Sequence, residues 1–319
     1  MPTTVYLIYA AISAFIVAAI CFCLVLIVRR FAALVCARGN AFPEDFGGFH
    51  ETIAAHKTEI DEGYALYDSL IKEDVTIRAF DGLSLHGVFV PNGGSKKVLL
   101  LVHGYRSSAR ENFAAVLPFY IERGFALLMI DQRAHGQSEG EYITLGVNEH
   151  KDVCAWAAYL DRRFSGDVQI ILDGVSMGAA TVVYAAGDDL PASVRGIIAD
   201  SGFTSPRDIL AYLLDAQYHL PAFPLLPMIC RRIARLSGAD LSSVSAADAL
   251  KNNRLPILFV HGEDDSFVPV EMSEAAYKLC PSKKTLLTVP GAPHGCGYLV
   301  DRPTCRAALD RFFDEVLEK

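Results

Sequence analysis

The chain has 319 residues, 52% of them hydrophobic, with a formal net charge of -8 and eight cysteines. That length supports one large domain or two small ones around a buried core. The acidic balance, and the lack of any lysine or arginine cluster longer than a pair, exclude a nucleic-acid surface. No HExxH, paired CxxC, Walker loop or GxGxxG is present, so neither a metal nor an organic cofactor is expected.

In chain order, the first element is an uncharged apolar run from Val5 to Val28. As a helix it spans ~36 Å, enough for a hydrocarbon core of ~30 Å. A cleaved signal peptide is the alternative, but the run is too long and lacks a basic leader and a small-x-small cleavage site. A retained transmembrane anchor over residues 1–30 is therefore expected. Arg29, Arg30 and Arg38 follow it and no charged side chain precedes it, which by the positive-inside rule puts the remaining chain in the cytoplasm. The cysteines have no framework spacing, as expected of reduced thiols, although a pair among Cys280, Cys296 and Cys305 stays open.

Residues 31–73 read as a linker, broken by Gly39, Pro43, Gly47 and Gly48, and an amphipathic helix with Ile53, Ile60, Tyr64, Tyr67 and Ile71 at helical spacing. From about residue 74 strands and helices alternate. "VTIRAF" and "LSLHGVFV" flank Asp81-Gly82 as a hairpin. "KVLLLVHG", "FALLMID", "VQIILDG", "VRGIIADSG", "LPILFVHG" and "KTLLTVP" are continuous apolar strands, with helices expected near Asn112–Arg123, near Val147–Arg163, after Ser176, from Glu271 and at the C-terminus. This is an α/β pattern: a mostly parallel sheet covered on both faces. About 203–253 interrupts it with Pro206, Pro221, Pro224 and Pro227, as a small helical cap over the carboxyl ends of the strands.

Gly174-Val175-Ser176-Met177-Gly178 stands at the junction of a buried strand and a helix. A turn that tight strains its central residue, lifts the serine hydroxyl above the sheet, and aims the N–H of Met177 at the same space. A small-residue helix start with Ser176 as N-cap is the plainer reading, so partners are required. His294, in "VPGAPHGCGY", and Glu263, Asp264 and Asp265, in "VHGEDDSFVP", each follow a strand, whereas His50, His56, His86 and His219 fall on the surface helix, the hairpin and the cap. Serine, acid and histidine in that order at strand ends point to nucleophilic acyl transfer.

From about Asp74 onward the chain resembles the α/β-hydrolases, in the branch of prolyl-oligopeptidase-like, serine-aminopeptidase-like and cinnamoyl-esterase-like proteins. The resemblance rests on "LLLVHGYRSSARENF", "DQRAHGQSEG", "GVSMGAAT", "HGEDDSFVP" and "PGAPHG". It implies Ser176 as nucleophile, His294 as base and Asp265 as its acid, with Asp200 as the other possible acid. It also implies an oxyanion hole from the backbone N–H groups of Tyr105 and Met177. His103 supports that loop, and Arg133 forms an ion pair in a structural turn. The implied function is a membrane-anchored serine hydrolase acting on a small acyl ester, with a short-peptide peptidase or an acyltransferase as enzyme alternatives. A membrane-tethered interaction module with a vestigial site is the non-enzymatic one. Apolar cap residues, among them Phe203, Leu213, Phe223 and Leu226, are expected to wall the acyl pocket.

Overall fold

The computed structural model describes residues 3–39 and 48–317; Pro43 and Gly47, two of the expected linker breakers, lie outside the described residues. Helix α1 (Thr3–Cys36) is followed by α2 (Phe49–Ala55), α3 (Lys57–Ser69) and the hairpin β1 (Glu73–Arg78)–β2 (Ser84–Val90). The alternation continues through β3 (Lys97–Val102), α4 (Ala109–Phe113), α5 (Leu117–Glu122), β4 (Ala126–Ile130), α6 (Glu149–Arg163), β5 (Gln169–Val175), α7 (Met177–Ala185) and β6 (Val194–Asp200). The cap comprises α8 (Pro206–Ala216), α9 (Ala222–Ser237) and α10 (Ala246–Leu250). The chain closes with β7 (Ile257–Gly262), α11 (Val270–Leu279), β8 (Lys284–Val289), α12 (Gly297–Val300) and α13 (Arg302–Val316).

The eight strands form one sheet in the order β1-β2-β4-β3-β5-β6-β7-β8. Only the pairings made by β2 are antiparallel. The inner strands carry apolar residues on both faces because both faces are covered. On β3, Val98, Leu100 and Val102 join the core that includes α6, α7 and the cap, while Leu99 and Leu101 face Tyr120, Phe312 and Phe313. By the same alternation Leu172 on β5 belongs to the cap face, and Ile171 to the other.

Three segments differ from the sequence expectation. The helix expected near Asn112–Arg123 is two short helices, because α3 crosses there so closely that a Cβ on Gly63 would lie 1.9 Å from the Ala114 carbonyl oxygen. The amphipathic helix before β1 breaks at His56 into α2 and α3. Pro227 does not interrupt the cap. It lies inside α9 one turn after the non-helical Phe223, where its missing N–H removes at most one bond.

The largest difference lies at residues 31–39. Instead of ending near residue 30, α1 runs on to Cys36, and Val28, Phe31, Ala32 and Cys36 are buried. Helix α1 packs along α9, and Phe31 meets the Tyr218 ring edge-on at 5.1 Å. The apolar stripe of α9 (Leu225, Leu226, Ile229, Cys230, Ile233) is thereby used. Beyond Cys36, Ala37 bridges to Tyr142 and the Arg38 guanidinium donates to the Ser138 carbonyl at 2.7 Å. Residues 31–38, expected as linker, are thus held against the body. Upstream, α1 from Tyr6 to Ile27 projects from the body with exposed apolar side chains, Phe15 at 76%. The helix from Tyr6 is long and apolar enough to cross a membrane.

Candidate active site

Ser176 sits between β5 and α7 at φ 58°, ψ -118°, a conformation a non-glycine residue adopts only under constraint. The flanking glycines supply the room. A Cβ on Gly174 would lie 2.3 Å from the Gly178 carbonyl oxygen, and one on Gly178 would lie 2.0 Å from that of Val102. The Ser176 N–H donates to the Asp200 carbonyl at 2.7 Å, which pins the turn to the next strand. Its side chain makes no helix-capping bond, so the plainer N-cap reading does not apply.

Three residues distant in sequence meet above the sheet. His294 Nε2 is 2.8 Å from Ser176 Oγ, and His294 Nδ1 is 2.6 Å from Asp265 Oδ2. With Nδ1–H donating to the carboxylate, Nε2 carries no proton and is left to accept that of the serine. The other Asp265 oxygen accepts the N–H groups of Phe267 and Val268 at 2.9 and 2.8 Å. Burial alone would raise the Asp265 pKa. The neighbouring His294 charge and hydrogen bonds from His261 and His294 instead hold it well below the usual carboxylate range. Asp200, the other candidate acid, bonds Ser201 Oγ and does not reach His294. Glu263 bonds Thr288 instead, through its side chain.

In the sequence His261 is only the first residue of the acid loop. Its Nε2 is 3.2 Å from Asp265 Oδ2, and its Nδ1 meets Ser273 Oγ at 2.6 Å. It is a second histidine on the same carboxylate, four residues away in the same segment, and Ser273 of α11 holds its other ring nitrogen.

The loop after β3 lies against the nucleophile: a Cβ on Gly104 would be 3.2 Å from Cβ of Ser176. The Gly104 N–H donates to Asn112 Oδ1 at 2.6 Å, which holds the loop to α4. The backbone of Tyr105 is thereby set beside Ser176, and the Met177 N–H opens α7, where it lacks an intrahelical acceptor. Buried His103, pushed down to about 3 by burial and by His135, is neutral. It links Gly104 O to the Gln132 N–H, a supporting role rather than a proton-transferring one. Arg133 pairs with Asp152 at 2.6 Å and Asp81 at 2.7 Å, holding its turn.

The side chains of this loop reach the end of α1. Tyr105 O–H donates to the Val35 carbonyl at 2.6 Å, and Arg106 Nη2 to those of Leu34 and Ala37 at 2.6 and 3.0 Å. These are carbonyls a helix C-terminus leaves open, and no sequence signal pointed to this contact.

A cavity of about 520 Å³ opens at Ser176 and His294. Contrary to expectation, no residue of the cap walls it. Its lining comes from α2–α5, the strands and the C-terminal helices, with Ile53, Tyr64, Val116, Ile198, Val260 and Leu309 among the apolar residues. The cap contributes Phe203, Ile209, Leu210 and Leu213 to a second, apolar slot of about 40 Å³ on the other side of Ser176. Of the other cap residues, Leu226 is buried in the core that α1 shares with α9, whereas Phe223 is 80% exposed and walls neither space. Among the described residues no group of histidine, cysteine or acidic side chains has the arrangement of a metal site. All eight cysteines, Cys280, Cys296 and Cys305 included, are unpaired.

The family model of the alpha/beta hydrolase fold matches residues 97–226, and that of the serine hydrolase (FSH1) family matches 176–294. The chain is 28% identical over 263 residues to the uncharacterized protein YqkD of Bacillus subtilis, covering 82% of this chain and 86% of that one. It is 26% identical over 248 residues to a monoacylglycerol lipase of Mycolicibacterium smegmatis, covering 66% and 85%. In fold it is similar to the Pyrococcus furiosus esterase Pf2001, with a TM-score of 0.63 at 24% identity over 78% of this chain and 93% of that one. The chain has the α/β-hydrolase fold and is a serine hydrolase.

Proposed function

We propose that this serine hydrolase is a membrane-anchored carboxylesterase that works through an acyl-enzyme on Ser176. The observation that carries the reading is the unbroken line Asp265–His294–Ser176, at 2.6 and 2.8 Å, ending at a strained serine that opens on a cavity. His294 Nε2 takes the Ser176 proton as Oγ attacks the ester carbonyl. The N–H groups of Tyr105 and Met177 receive the developing oxyanion, and Asp265 stabilises the imidazolium. The same proton then passes to the departing alkoxide, which leaves as an alcohol. Water, deprotonated by His294, attacks the acyl carbon and releases the acid. An ester is favoured over an amide because an alkoxide leaves more readily than an amine.

Anchoring is supported by α1, whose exposed apolar surface from Tyr6 to Ile27 has no counterpart on a water-facing helix. Arg29, Arg30 and Arg38 beyond it support a cytoplasmic body. Protease applied outside intact cells should then leave the body whole, and digestion would reverse the orientation. The activity is tested with a fluorophosphonate probe on the full chain in membranes. Ser176 should be the labelled residue, and labelling that persists in Ser176→Ala would overturn the assignment.

A further inference from the structure

Among the buried acids that the proposed reaction does not use, Asp173 lines the cavity. Asp173 stands three residues before Ser176 on β5 and shares the sheet face of Ile171, away from the cap. It lines the 520 Å³ cavity, 2% exposed, beside Tyr120 of α5 and Asp200 of β6. The Tyr120 O–H donates to its Oδ2 at 2.7 Å. Among the described residues no other side chain donates to Asp173, and no lysine, arginine or histidine pairs with it. Burial, against the opposing effect of that one bond, raises its pKa to about 7.

A carboxyl in such a place is costly. Satisfying the Tyr120 hydroxyl does not require one, since an amide or main-chain oxygen would accept the same bond without a buried ionisable group. What distinguishes Asp173 is a second oxygen with acceptor capacity and no protein donor, in a cavity that is otherwise mostly apolar and begins at the reacting serine. Pockets that orient a substrate commonly do so with a few such polar groups in apolar walls.

We propose that Asp173 is a specificity-determining residue of the substrate cavity. It would accept a hydrogen bond from a hydroxyl or protonated amine carried at the end of the substrate remote from the ester carbonyl. Three residues of strand set the two positions about 10 Å apart, the reach of about six to eight chain atoms. The cavity therefore takes a medium-length chain ending in a donor, with Asp173 and Tyr120 as a paired receptor at its floor. The inference rests on Ser176 being the nucleophile.

The test compares p-nitrophenyl esters of hexanoate, 6-hydroxyhexanoate and 6-aminohexanoate on the full chain in detergent, for wild type, Asp173→Asn and Asp173→Leu. Wild type should favour the donor-bearing esters over hexanoate in kcat/KM. In Asp173→Leu the ratio of hydroxyhexanoate to hexanoate should fall by about tenfold or more, because the donor then meets an apolar wall. Asp173→Asn should keep the hydroxyl preference and lose the amine preference, and it serves as the decisive variant if Asp173→Leu does not fold. Equal loss on all three esters, with unchanged ratios, would make Asp173 a purely structural residue and overturn the proposal. So would a wild-type preference for plain hexanoate. Fluorophosphonate labelling of wild type, read in parallel, separates this from failure of the Ser176 assignment: without labelling it is the nucleophile that is wrong.

Discussion

The two sides of Ser176 are built from different parts of the chain and differ more than tenfold in empty volume. On the cap side, α8 and α9 bring many apolar residues, yet a slot of only about 40 Å³ remains, because α1 lies along α9 and fills the groove the cap would otherwise present. On the opposite side α2–α5 and the C-terminal helices stand off the sheet around about 520 Å³. An apolar insertion does not by itself make a pocket. Where another helix supplies complementary side chains, the same residues become core, since close packing removes the void.

The strongest way to break this picture is at the serine both spaces share. Ser176→Ala should lower ester hydrolysis by about 10³-fold or more, with circular dichroism unchanged, because one hydroxyl is lost from an otherwise intact turn. Residual hydrolysis near the wild-type rate would move the chemistry elsewhere.

Filling each space in turn asks which one holds the acyl group. Ala115 borders the large cavity, and Ala115→Trp should cut the octanoyl-to-acetyl ratio of kcat/KM by about tenfold or more. Leu213→Trp, which fills the cap-side slot, should move that ratio by less than about threefold. The opposite order would return the acyl group to the cap.

The polar floor of the cavity has a pH signature. Asp173 is raised by burial to about 7 in the folded chain, against about 4 when unfolded. Between those values the native state holds a proton that the unfolded state has released. The stabilising contribution of this group is thus fully present below about pH 4 and is lost as pH rises to about 7. Asp173→Asn does not titrate. Its Tm relative to wild type should rise by a few degrees between pH 5 and pH 8, and thermal melts giving a constant difference would contradict the burial argument.

The smallest effect is expected at the end of α1. Tyr105→Phe removes the bond to the Val35 carbonyl, which costs about 1 kcal/mol in a half-buried setting. Denaturant unfolding of the detergent-solubilised chain would measure it. A loss well under half that value would mean that packing of Phe31 and Ala32 on the cap holds α1 without help from the loop.

Much of this molecule was legible in the residues. Continuous apolar runs identified the inner strands, because only a doubly covered sheet buries such segments. Asp81-Gly82 marked the hairpin, since its φ of 88° at Gly82 is open to glycine. Gly174, Ser176 and Gly178 announced their turn, because clashes between atoms a few residues apart are local. His294 and the acid loop Glu263–Asp265 were legible for a related reason: each follows a strand, and parallel strands deliver their carboxyl ends to one edge, while the choice of Asp265 within that loop came from the family resemblance.

Contacts between remote elements were beyond such reading. Ser273 of α11 against His261, the α1 carbonyls held by Tyr105 and Arg106, and the break near Ala114 under Gly63 all join segments whose separation in space is decided by packing. Asp173 is the clearest case. In sequence it is a polar residue ending an apolar strand, and only the assembled α5, β6 and cavity make it a buried acceptor with one donor. Local sterics and periodicity determined the strands, the elbow and the order of the serine, acid and histidine. The direction in which α1 leaves the body, the hollow side of the sheet and the buried carboxyl in its wall were decided by tertiary structure, because each depends on how tightly distant helices fill the space between them.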